Sequence, residues 1–153
     1  MKLLNLQKRI AIIENFKFLT TNANARQYAR VTTSVNISIA LLHGAIKLHG
    51  VIFDLSIHCI AIMVKHTKEL EKLRSKNVSL VFNIPTKRVD TGFWQLKLEA
   101  DITAIIEKDG KAKVICELNE DSSNESMLME YIYDRQKELI VEIKKMSQLN
   151  HRA

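Results

Sequence analysis

Arg26 and Arg30 stand four residues apart in a polar stretch, Arg26-Gln27-Tyr28-Ala29-Arg30, just ahead of the first alternating apolar run. A guanidinium makes charge-assisted, often bidentate bonds to phosphate oxygens and stacks on flat aromatic rings. Two of them on a pliable segment form a grip for phosphate and purine. Further along, Asp54-Leu55-Ser56-Ile57-His58-Cys59 closes a second apolar run. A short carboxylate there can accept the N–H donors of a guanine edge, and the neighbouring hydroxyl can donate to a phosphate oxygen or a carbonyl. Each feature also has an ordinary explanation, because two arginines can be simple solvated charges and Asp and Ser at a strand end are turn formers.

Other chemistries are poorly served. The five histidines, His43, His49, His58, His66 and His151, show no zinc-type spacing, and neither Cys59 nor Cys116 has a second cysteine nearby, so no metal site is expected. His58 beside Cys59 reads as a strand-end coincidence, and no nucleophile and base stand at a suggestive spacing, so the chain is read as no enzyme. Both cysteines lie in apolar stretches, which suits buried thiols in a reducing compartment and makes the cytoplasm the expected location. Met1 to Arg9 lacks the apolar run of a signal peptide, and no stretch approaches the ~20 apolar residues of a membrane helix.

The elements that must position these residues follow from hydrophobic spacing. The 153 residues, 46% hydrophobic and 26% charged, fit one globular domain with a short extension. Leu3, Leu6, Ile10, Ile13 and Phe16 recur at steps of three and four, predicting an amphipathic helix over residues 2–19. Such a helix either docks a partner or a second copy, or packs on its own domain. Residues 20–25, Thr-Thr-Asn-Ala-Asn-Ala, read as a linker.

Beyond the linker the period changes to two. Val35, Ile37, Ile39 and Leu41 alternate, His43-Gly44 supplies a turn, and a second run extends from Ile46 to Phe53. A third, Ile60 to Lys65, is apolar on both parities. The charged stretch Lys68 to Lys76 reads as a short helical or irregular connection, and Val78, Leu80, Phe82 and Ile84 mark a fourth strand ending at Pro85. Trp94, Leu96, Leu98, Ala100, Ile102, Ala104 and Ile106 form one side of a long strand. Asp109-Gly110 is a two-residue hairpin turn, and Ala112, Val114, Cys116 and Leu118 repeat the pattern. Ser122, Ser123 and Asn124 can cap a last helix, with Leu128, Tyr131, Ile132, Leu139, Ile143 and Met146 on one side, running to about Gln148. The expected fold is mainly β: six antiparallel strands closed into a barrel, which removes their edges, with a C-terminal helix and an N-terminal helical extension.

The order of these features resembles the PilZ domain. An RxxxR pair, a hairpin, then [DN]xSxxG, a β-barrel and a last helix follow one another over about Ala25 to Lys145. Phe82-Asn83-Ile84-Pro85 and Tyr131-Ile132-Tyr133-Asp134-Arg135-Gln136 look like further family segments. The resemblance implies a PilZ-like barrel over residues 23–153, preceded by helix and linker over 1–22. It implies a cytoplasmic receptor for cyclic di-GMP with no other cofactor. Arg26 and Arg30 would contact phosphates and guanine faces, Asp54 a guanine edge, and Ser56 a phosphate or a nearby polar group, with Cys59 at the motif's last position.

The chain departs from the pattern twice. Cys59 replaces the motif glycine, a residue that serves a positive φ angle or a close backbone approach by ligand; a cysteine forced into the left-handed region would lose about 1–2 kcal/mol. Ala25 stands where many relatives carry a further arginine. The expected function is therefore a cyclic di-GMP receptor or adaptor relaying to a protein partner in motility, pilus, biofilm or secretion control. The alternative is a PilZ-like interaction module that no longer binds nucleotide. A net charge of +6 also suits nucleic acid, but aromatic residues make up only 6% and do not interleave with basic ones, so that reading ranks third.

Overall fold

In the computed structural model of the chain, residues 29–120 and 122–151 are described. The helix and linker expected before Ala29, with Ala25 and Arg26, lie outside them.

Six strands, β1 (Ser38–His43), β2 (Ile46–Leu55), β3 (Cys59–Lys65), β4 (Asn77–Pro85), β5 (Phe93–Lys108) and β6 (Lys111–Leu118), close into an antiparallel barrel in the order β1-β2-β3-β6-β5-β4. The ring closes where β1 pairs with β4, Leu41 opposite Leu80. Side chains alternate across each strand, so one parity fills the interior: Ile39 and Leu41, Ile60 and Ile62, Leu80 and Ile84, Leu96 and Leu98, Val114 and Cys116 are all buried. The charged connection contains a short helix, α1 (Lys68–Lys72), capped by the Thr67 hydroxyl, which accepts from the Leu70 N–H at 3.2 Å; Leu70 and Leu73 join the core. At the β5–β6 hairpin, Asp109 and Gly110 adopt φ of 56° and 74°, as their residue types imply.

Three details correct the apolar pattern. Val35 precedes β1 in a bend and is exposed rather than continuing the inward row of Ile37, Ile39 and Leu41. In β5 the register shifts between Ile102 and Ala104, so the inward row passes to Ile105 and Ile106 turns out, 57% exposed. The last helix, α2 (Ser122–His151), runs slightly past the expected end. Its Leu128, Tyr131 and Ile132 pack on the core and Leu139 against it, but Met146 is exposed.

One buried charge joins α2 to the chain entering the barrel. Arg135 is 5% exposed; its Nε donates to the Thr32 carbonyl at 2.8 Å, and its Nη1 donates to Glu138 at 3.0 Å and Glu142 at 2.9 Å. Burial alone would lower its pKa, but these carboxylates outweigh that and raise it, so Arg135 stays charged.

Candidate functional site

The site starts with a bulge. Between Ile52 and Asp54 the β2–β3 register shifts, with Ile52 opposite Ile62 and Asp54 opposite Ala61, leaving Phe53 as the extra residue. Ile52 and Leu55 are both buried, so the two residues between them face outward together on the barrel wall. Alternation alone cannot place two neighbouring side chains on one face. Phe53 is 48% exposed, and the Lys113 ammonium stands 4.1 Å from its ring centroid.

The entering chain is fastened beside this bulge. Val31 and Leu55 exchange two backbone hydrogen bonds, Val31 N–H to Leu55 C=O at 2.9 Å and Leu55 N–H to Val31 C=O at 3.0 Å. Val31 is itself buried. Arg30 is thereby laid across the end of β2, where its Nη1 lies 3.5 Å from Asp54 Oδ1 and its Nη2 donates to Cys59 Sγ at 3.4 Å. A tight guanidinium–carboxylate hydrogen bond is about 2.7–2.9 Å. The Arg30–Asp54 pair is thus an ion pair without a close hydrogen bond. Asp54 Oδ1 is also sealed from solvent with no hydrogen-bond partner among the described residues, an acceptor awaiting a donor.

Ser56 is occupied within the turn. Its Oγ accepts from the N–H groups of Cys59 at 3.1 Å and His58 at 3.4 Å and donates to the Cys59 carbonyl at 3.4 Å. That uses the two acceptor sites and the one proton of a hydroxyl. In this conformation Ser56 shapes the β2–β3 turn, which aims Asp54 and Cys59. Cys59 opens β3 opposite Glu117, and among the described non-glycine residues only Ser75 and Asp109 have positive φ. The left-handed strain considered for this position is therefore absent. What distinguishes cysteine from glycine here is bulk and the sulfur that holds Arg30.

Arg30, Asp54 and Cys59 thus come together at the end of β2, with Ser56 buried in the turn beneath them, and Arg26 lies outside the described residues. A groove of about 440 Å³ beside β1 and β4 and another of about 560 Å³ beneath α2 contain none of the four. Sequence reasoning did not single out Phe53 or Lys113, because their contact depends on the pairing of β2, β3 and β6, which alternation within one strand does not show. No group of three or more His, Cys, Asp or Glu among the described residues could hold a metal, and no helix there is long and apolar enough to cross a membrane.

The barrel and its closing helix have PilZ-type topology. The PilZ domain of YcgR from Escherichia coli with c-di-GMP matches at TM-score 0.60 and 17% identity, over 78% of this chain and 98% of that one. YcgR in complex with c-di-GMP matches at TM-score 0.62 and 14% identity, over 79% of this chain and 50% of that one. The Bacillus subtilis inhibitor of motility MotI/DgrA matches at 0.58 and 18%, over 74% and 52%. This chain therefore spans about half the length of the latter two, and at these identities the likeness is one of fold. No protein-family model and no curated protein matches the chain by sequence.

Proposed function

We propose that the domain is a non-catalytic receptor for cyclic di-GMP that passes the level of this messenger to a protein partner in motility, pilus, biofilm or secretion control. The observation that carries the reading is the Arg30–Asp54 pair on the bulged end of β2: a cation for phosphate and guanine, beside a sealed carboxylate oxygen lacking a donor. With the guanidinium drawn off to a phosphate or ring, a purine edge would take its place beside Asp54 and supply that donor. Arg26, four residues earlier, would close over the ligand from the entering segment. The fold shared with c-di-GMP-bound structures supports the same reading.

The test is the thermal midpoint of the purified protein with and without excess cyclic di-GMP, repeated for Arg30→Ala. Ligand at ~100 times its dissociation constant stabilises the folded state by about 2.7 kcal/mol, a shift of several degrees. The shift should vanish in the variant, which stays folded with a ligand-free midpoint lowered by the loss of the Asp54 ion pair and the Cys59 contact. A second reading, a nucleotide-independent interaction module, is favoured by Cys59, whose sulfur adds a second contact to Arg30 where a glycine would leave only Asp54. No shift in the wild type would select it.

A further inference from the structure

The outer wall of β2, β3, β6 and β5 carries two features that folding does not explain. The first is a row of like charges: Lys65 pairs directly with Lys111, and Lys111 with Lys108. Like charges opposite one another across strands destabilise a sheet. None of these three, nor Lys113 in the next row, forms an ion pair with a carboxylate among the described residues. The second is apolar exposure in that next row, where Val51 faces Met63, Met63 faces Lys113 and Lys113 faces Ile106. Val51 is 36% exposed and Ile106 57%. Rows on one face stand about 7 Å apart, so cations and aliphatic side chains share one patch.

We infer that this wall docks on an anionic phospholipid surface, with the four lysines on head-group phosphates and Val51 and Ile106 entering the head-group boundary. Charge excludes the nearer candidates. Residues 1–28 carry Lys2, Lys8, Lys17, Arg9 and Arg26 against Glu14, and a second copy would present the same lysines, so both repel the patch. The occupant is anionic. The outside of a closed barrel is convex, and the two grooves described lie elsewhere, beside β1 and β4 and beneath α2. A planar charged surface meets such a wall without needing a cleft, and each lysine near it strengthens partitioning about fivefold.

The experiment is co-sedimentation of the full chain with vesicles of phosphatidylglycerol and phosphatidylcholine, against phosphatidylcholine alone. The wild type should pellet only with the anionic vesicles, and less as salt rises. Lys111→Glu should weaken partitioning at least fivefold while raising the thermal midpoint, because it sets a carboxylate between Lys65 and Lys108. Ile106→Ser should weaken binding at unchanged charge. Lys144→Glu with Lys145→Glu, a larger charge change on exposed residues of α2, should leave binding within about twofold. The inference is overturned by failure to bind anionic vesicles, or by equal loss in the β6 and α2 variants. It is overturned equally by retention of poly-glutamate through these lysines without vesicle binding, which would make the partner an acidic protein.

Discussion

Replacing Cys59 by glycine should move stability and ligand affinity in opposite directions. Cys59 is the first residue of β3, without positive φ, and its sulfur accepts from Arg30 at 3.4 Å. Glycine in a strand costs about 0.5–1 kcal/mol relative to alanine through backbone entropy, and the lost sulfur contact, long and weak, adds a few tenths more. The expected loss is about 1 kcal/mol, or roughly 3–5 °C in the midpoint of a domain of this size. The same change releases one of the two contacts that hold the Arg30 guanidinium, and it removes a side chain from the surface the ligand would approach. If the released contact is worth about 0.7–1.4 kcal/mol to the ligand-free state, cyclic di-GMP should bind about three- to tenfold more tightly. Calorimetric titration beside thermal melts reads both quantities, with Cys59→Ser, which keeps an acceptor near Arg30, falling between. Unchanged or weaker affinity in a folded Cys59→Gly protein would refute the idea that the thiol competes with ligand for Arg30.

Two further outcomes follow from the barrel itself. At Gly50 a β-carbon would meet Val64 Cγ1 at 2.5 Å and the Met63 carbonyl oxygen at 2.6 Å, so Gly50→Ala should destabilise by about 1–3 kcal/mol; urea unfolding with an unchanged midpoint would contradict that packing. Burial pushes the Cys116 thiol up from 9.0 to about 12, the nearby Cys59 adding to it. The folded state therefore keeps a proton that the unfolded chain releases, and stability should fall as pH rises from about 9 toward 12. The high-pH slope should flatten in Cys116→Ala, and an aromatic disulfide reagent should titrate Cys59 readily but Cys116 only on unfolding.

Much of the fold was legible because strand alternation and turn residues are local signals. Asp109-Gly110 placed the β5–β6 hairpin, and the rows Val78–Ile84 and Trp94–Ile102 were read on the correct face. The failures share one cause. The bulges in β2 and β5 change parity without a glycine or proline to mark them, so Asp54, which strict alternation turns inward with Ile52, and Ile106 could not be placed outward from spacing. The apolar side of α2 was visible, but its spacing does not say which of its turns pack on the core, so Met146 reads like Leu128. Arg135 was quoted as part of a family segment, yet nothing marked it as buried: glutamates three and seven residues later look the same on a solvated helix as on one that packs. At the candidate site spacing could not show that the Ser56 hydroxyl bonds within its own turn, since that geometry depends on the pairing of β2 with β3.

Three consecutive residues of the entering chain are fastened to three different parts of the molecule. Arg30 is held by Asp54 and Cys59, Val31 by Leu55, and the Thr32 carbonyl by Arg135 of α2. A ligand that redraws Arg30 therefore pulls on a segment whose next anchor is the helix. Thermodynamic linkage makes such a connection symmetric: whatever factor a nucleotide would apply to capture of the exposed end of α2, that capture would apply in return to the nucleotide. The effective affinity for messenger would then be a property of the domain together with whatever holds its last helix, and a titration on the isolated chain would report one limit of it.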